Sequence, residues 1–209
     1  MVKNILLLIT VFLPAISGCT FNMEKDEASG SLEYYRYGGS SLKSVGRVLM
    51  LEMENLSTNQ DISRELTTAL SEEIRKKQIF GLETLYHTDP KWKNLSISKN
   101  LDISMQQLSD IQSRFSVDAV LYGKVMHYRP YPRNSIGLKL KLEDCTTGQL
   151  LWAVEGVWDS TDAKIEERAK SFFSTEMRSG YDPMNWKIVM VSPRIYNKFI
   201  THEISEALR

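Results

Sequence analysis

The chain has 209 residues, 42% hydrophobic and 25% charged, and its 26 Lys and Arg against 26 Asp and Glu give a formal net charge of zero. These totals fit one ordinary globular domain with extra segments, and zero net charge without a long basic run excludes a protein held to nucleic acid mainly by phosphate contacts. Three histidines and two cysteines leave few candidates for a multi-ligand metal site, so no metal and no cofactor are expected.

At the N-terminus Lys3 precedes an apolar run from Ile5 to Leu13, and small residues from Pro14 to Gly18 end at Cys19. As a helix that run spans about 14 Å, roughly half a bilayer core, so residues 1–18 read as a signal peptide rather than a membrane span. Ile16-Ser17-Gly18-Cys19 resembles the bacterial lipobox. The resemblance implies cleavage before Cys19 and acylation of Cys19, palmitate included; two or more chains anchor durably where one is marginal. An ordinary secretory signal is the alternative. By the same resemblance, Thr20 after the anchor implies sorting to the outer membrane, facing the periplasm. With Cys19 capped, Cys145 has no disulfide partner within the chain, and it is expected to be buried as a small hydrophobe. A disulfide-linked dimer or a reactive thiol are the other readings.

Residues 19–44 are polar and bear Gly and Ser, a composition that cannot fold alone, and read as a lipidated tether. Tyr34, Tyr35 and Tyr37 interrupt it with large amphipathic contact area. Two readings stand for them: an extended segment lying against the domain, or contact with a partner.

A single domain is expected over residues 45–209. Val48, Leu49, Met50, Leu51 and Met53 form an apolar run typical of a strand covered on both faces. From Asp61 the spacing of Ile62, Leu66, Ala69, Leu70 and Ile74 is helical, with Glu72/Lys76 and Glu73/Lys77 on a solvated face, and Gly81 as the stop. Leu82 to Tyr86 suits a strand. Residues 88–102 look irregular, Trp92 notwithstanding. Ile103, Leu108, Ile111 and Phe115 suit a helix capped by Asp102 or Ser104, and Val117 to Val125 returns to extended chain. Ile136, Leu138, Leu140 and Leu142 alternate with Gly137, Lys139, Lys141 and Glu143, as in a half-buried strand. Thr146-Thr147-Gly148-Gln149 reads as a hairpin loop returning through Leu150 to Trp158. Ile165, Ala169, Phe172, Phe173 and Met177 mark a long helix, Trp186 to Val191 a short strand, and Ser192-Pro193 opens a last helix. Its stripe of Tyr196, Phe199, Ile200, Ile204 and Leu208 is expected to pack on the domain, with self-association next.

The expected class is therefore α/β (α+β), a mixed sheet with a C-terminal antiparallel meander packed by three to four helices. Arg47 to Leu51 with Glu54-Asn55-Leu56-Ser57, then Val117 to Val125, then Leu142 to Trp152 follow one another as in the TolB N-terminal/CsgG/LpoB-like α/β domain, which the chain resembles over residues 45–175. The resemblance implies work by contact in envelope machines. Its pore-forming branch adds membrane-crossing hairpins, which need about 9–11 residues of sustained alternation, and Ile136 to Glu143 stops short.

His127-Tyr128-Arg129-Pro130-Tyr131-Pro132-Arg133 joins two predicted strands. Proline stiffens such a loop, and Tyr and Arg dominate protein–protein hot spots, so Tyr128, Arg129, Tyr131 and Arg133 are candidate partner-binding residues; a rigid loop packed on the sheet edge is the plainer reading. No Gly-x-Ser-x-Gly, phosphate-loop, dinucleotide or His-Glu-x-x-His motif is present, and His202-Glu203 reads as a solvated helix face. His87 and His127 could meet in space with a carboxylate, which would make a hydrolase. The sequence thus points to a non-enzymatic, membrane-anchored envelope lipoprotein that binds an envelope protein, with a homo-oligomeric secretion or assembly subunit as the alternative.

Overall fold

The structure is a computed structural model that describes residues 32–36, 42–95, 97, 103–177 and 181–208; the expectations for residues 1–18, Cys19 and Tyr37 lie outside the described residues. The strands are β1 (Leu32–Arg36), β2 (Arg47–Leu51), β3 (Glu54–Asn55), β4 (Gly81–Leu85), β5 (Ala119–Arg129), β6 (Ser135–Asp144) and β7 (Leu150–Asp159). The α-helices are α1 (Ile62–Lys77), α2 (Met105–Phe115), α3 (Ala163–Phe172), α4 (Lys187–Val191) and α5 (Pro193–Ala207). One mixed sheet runs in the order β1-β7-β6-β5-β2-β4, with β3 against β5. β2 has parallel neighbours on both sides, whereas β5, β6 and β7 form the antiparallel meander.

Burial explains the two sequence patterns. Val48, Leu49, Met50 and Leu51 of β2 are all buried because helices cover both faces there. Val48 and Met50 join a core with α1, α3, α4 and α5, while Leu49 and Leu51 join one with Leu108, Ile111 and Phe115 of α2. On β6 only one face is packed, so Ile136, Leu138, Leu140 and Leu142 are buried while Lys139, Lys141 and Glu143 are half-buried. α2 covers the second face as far as Val120 and Tyr122. The α5 stripe of Tyr196, Phe199, Ile200, Ile204 and Leu208 is fully buried on the domain.

Local chemistry sets the ends. Ser104 and Gln107 form a reciprocal capping box at the start of α2, which satisfies two orphan N–H groups. Gly148 has φ of 69° in the turn after β6, a conformation that glycine adopts without steric cost. Gly123 lies so close to β6 that a Cβ would stand 2.3 Å from Leu140 Cδ2 and from the Lys139 carbonyl.

Several expectations need correction. Trp186 to Val191 is not a strand: Lys187–Val191 is helical, which raises the α-helices among the described residues to five. The segment packs in the helical layer, where Val189 is buried among α3 and α5 residues, and a five-residue apolar run is too short for its period to separate helix from strand. Gly81 does not stop α1; Gln78 does, at φ of 51°, and Gly81 opens β4. The helix from Ile165 ends as α at Phe172 and continues as a π turn, Phe173–Met177. Glu73 and Lys77 are not a solvated pair: Lys77 bonds Glu206, and Glu73 bonds Lys76 and faces His202 at 3.7 Å, because α5 lies across that side of α1. The sheet also begins before Val45, since β1 pairs with β7 from Leu32 opposite Gly156 to Arg36 opposite Trp152, and Leu42 is in the core. The segment holding Tyr34 and Tyr35 therefore lies against the domain as an edge strand.

Candidate functional site

The connection from β5 to β6 forms one wall of a groove of about 570 Å³. Pro130, Tyr131, Pro132 and Arg133 supply that wall, Met190 and Val191 at the end of α4 face it, and Ser160, Thr161 and Glu166 close one end. Asn134 ties the walls together: its Nδ2 donates to the Met190 carbonyl at 2.7 Å, and its own carbonyl accepts from the Ser160 N–H at 2.8 Å. The first bond satisfies a carbonyl at the end of α4 that the helix leaves unpaired. The Asn134 side chain is buried, and its Oδ1 has no hydrogen-bond partner.

Polar contacts hold the loop in place. Asp159, at the end of β7, accepts from the Thr161 backbone N–H at 2.9 Å and the Thr161 hydroxyl at 2.8 Å, and lies 3.9 Å from Arg129. The Thr161 backbone bond, helped by the Thr161 hydroxyl and the charges of Arg129 and Arg133, holds the Asp159 carboxyl below its ordinary range against burial, which works the other way. Tyr128 is half-buried against the main core. Burial, and then the charge of Glu65, pushes that phenol up.

The structure thus divides the candidates. Tyr131 is 71% exposed and Arg133 is exposed, both on the groove wall. Arg129 is exposed and paired with Asp159. Tyr128 is a packing residue. Tyr34 and Tyr35 pair with Val154 and Ala153 on β7, whereas Tyr128 is in register with Ile136, and that with Trp158. Four residues of strand, about 13 Å, and two intervening strands separate the tyrosine pair from the loop. The groove also uses Asn134, Thr161, Met190 and Val191, which sequence reasoning missed. The wall from α4 is hidden from the sequence by the reading of Trp186 to Val191 as a strand.

The other place where an α/β sheet accepts ligands, the carboxyl end of its parallel strands, is filled by the protein's own groups. Glu52, directly after β2, is buried with its carboxylate bonded to the His87 N–H at 2.7 Å and to Ser63 Oγ at 3.3 Å, and 3.2 Å from His87 Nδ1. Burial alone would raise its pKa, but the bonds from His87 and Ser63 outweigh that and hold it low. The His87 ring sits edge-on to Trp92 at 4.1 Å, while His127 Nε2 bonds Ser135 Oγ at 2.9 Å; the two histidines have separate partners. His202 and Glu203 are not a solvated face either. Glu203 accepts from Trp158 Nε1 at 2.7 Å and from Arg168 Nε at 2.6 Å, and His202 packs on Phe172. Cys145 is buried and free, and burial, then the charges of Asp144 and Asp118, pushes its thiol up to about 12. Among the described residues no group of three or more His, Cys, Asp or Glu could hold a metal ion.

No protein-family model matches the chain, and no curated protein matches it. Among solved structures it aligns with PelC from Paraburkholderia phytofirmans, solved as a dodecamer, at 13% identity over 86% of this chain and 99% of that one, TM-score 0.53. It aligns with a lipoprotein from Neisseria meningitidis at 16% identity over 64% of this chain and 99% of that one, TM-score 0.44. The LpoB C-terminal domain from Salmonella enterica aligns at 17% identity over 58% of this chain and 86% of that one, TM-score 0.41. The PelC alignment establishes a shared fold.

Proposed function

We propose that this chain is a non-enzymatic lipoprotein of the cell envelope. In this reading acyl chains on Cys19 hold it to the outer membrane, facing the periplasm, and it binds an envelope protein partner through the groove beside Tyr131. Residues 1–18 are removed, residues 19–31 connect the anchor to the folded unit, and one domain follows. The observation that carries the reading is the groove wall itself: an aromatic side chain 71% exposed on a proline-stiffened loop fixed from below by Asn134 and Asp159. Such a loop loses little entropy on binding, which is where preorganised surfaces gain affinity. The anchor adds to this by confining the domain near its partner and raising its effective concentration without a new contact. That Glu52 fills the end of the parallel strands supports a role by contact rather than by turnover.

Photo-crosslinking from position 131 in the native envelope tests the reading. One discrete adduct, lost on Arg133→Ala with the melting temperature unchanged, is the expected result; no adduct, or adducts independent of the loop, would refute it. A subunit of a homo-oligomeric assembly is the second reading. Its support is the fold likeness to PelC, solved as a dodecamer, and mass measurement of the detergent-solubilised chain tests it, a stable monomer counting against it.

A further inference from the structure

The sheet face left uncovered by α2 carries an apolar stripe at one end. A β-bulge shifts the β5–β6 register between Val125 and His127, so Met126 and His127 both come to the open face. A Cβ on Gly137 would stand 2.6 Å from His127 Nδ1 and 3.5 Å from Met126 Cβ, so only glycine lets the imidazole lie across β6. Next on that row, opposite Gly137, is Val157 of β7. On the other side, Glu54 meets Lys124 on this face at 3.5 Å, and Leu56 follows two residues later with its N–H on the Val125 carbonyl. Leu56, Met126 and Val157 are 52%, 44% and 49% exposed, three half-exposed apolar side chains grouped at one end of this face, the kind of surface that can mark a contact site.

The entry point of the chain says what that is. β1 runs antiparallel to β7, with Leu32 opposite Gly156, so the polypeptide enters the domain beside Val157, at the end bearing the stripe. From Cys19 to Leu32 the chain reaches at most about 45 Å, and the opposite end of the sheet lies a further β7 length, about 33 Å, away. Of the two ends of the sheet, the stripe end is thus the one nearer an anchor at Cys19, and the Thr146-Thr147 turn is the farther one. The next row offers no net charge to headgroups, because Lys139 is paired with Glu155 and Lys124 with Glu54. Among the described residues no helix is long and apolar enough to cross a membrane. We infer that Leu56, Met126 and Val157 form a lipid-docking edge that seats the domain on the bilayer surface by apolar contact, leaving the groove on the helical side open to a partner. This rests on the reading that Cys19 is acylated.

The test uses the full-length acylated protein in vesicles of phosphatidylethanolamine and phosphatidylglycerol, 3:1, with an environment-sensitive fluorophore on Leu56→Cys, Met126→Cys, Val157→Cys or, as control, Thr147→Cys. Each variant is checked by its thermal melt. Expected is several-fold stronger quenching by brominated lipid at 56, 126 and 157 than at 147, unchanged in 0.5 M salt or in phosphatidylcholine vesicles. Flotation with the vesicles but equal quenching at all four sites would overturn the docking edge alone. Quenching lost in high salt would replace it with a headgroup contact, and protection that rises with protein concentration without lipid quenching would replace it with a second copy. Failure to float would remove the anchor reading and the docking edge with it.

Discussion

Glu203 offers the most demanding check on how the helical layer is held. Its side chain is only 13% exposed, and its two oxygens take the indole N–H of fully buried Trp158 at 2.7 Å and Arg168 at 2.6 and 3.3 Å. Glu203→Leu removes both bonds. A buried donor without a partner costs about 1–3 kcal/mol. Losing one half of a buried ion pair costs about 3–5 kcal/mol, but Arg168 is a quarter exposed, which scales that contribution toward about 1 kcal/mol. The total is about 2–4 kcal/mol, a drop in melting temperature of about 5–15 °C for a domain of this size. Glu203→Gln keeps an acceptor for the indole and loses only the charge, so its cost is about 1–2 kcal/mol. Urea titration followed by tryptophan fluorescence and by circular dichroism measures both. If Leu and Gln variants have the same midpoint, or if Leu lies within about 0.5 kcal/mol of the parent, the indole bond has no energetic weight and the reasoning is wrong.

The remaining predictions concern packing, titration and reactivity. Gly123→Ala forces a methyl against the Lys139 carbonyl and Leu140 and should cost about 1–3 kcal/mol, read as a lower urea midpoint; Gly46→Ala, beside the end of the Asp118 side chain, should cost less. The His202 ring 3.7 Å away, and then Lys76, lower the Glu73 carboxyl from 4.5 to about 2 against an opposing burial effect. Because the folded value is the lower one, this stability is complete above about pH 4.5 and is lost as pH falls toward 2, by at most about 3 kcal/mol. Glu73→Gln should flatten the stability profile in that window, and an unchanged profile would contradict the pairing. Native Cys145 should resist maleimide, with labelling accelerating through the urea transition; fast labelling without urea would contradict its burial. Tyr128→Ala should lower the melting temperature and Tyr131→Ala should leave it within about 2 °C, since only the first is packed.

Elements with a clean periodicity are legible in the residues alone. The α1 stripe, a polar cap ahead of α2, the β6 alternation and the α5 stripe each repeat a local rule, and each rule is fixed by backbone geometry over a few residues. The groove is legible only in part: prolines and tyrosines mark its loop, but its second wall is a five-residue apolar helix, too short for its period to separate it from a strand. His202-Glu203 and Glu73/Lys77 look like solvated faces because partners far away in sequence, Trp158, Arg168 and Glu206, are invisible to local spacing.

Hydrophobic period and turn chemistry act locally, so they suffice for the layer plan, the strand and helix identities of the long segments and the expectation of a lone buried thiol. Long-range packing was needed to place Leu32–Arg36 in the sheet as its edge, to choose the end of the sheet at which the chain enters, to set α4 against the proline loop, and to bring Met126 beside Val157 through a bulge and Gly137. Each of these depends on which strand edge remains open and on register between distant segments, quantities set by closure of the whole sheet and by no single stretch of the chain.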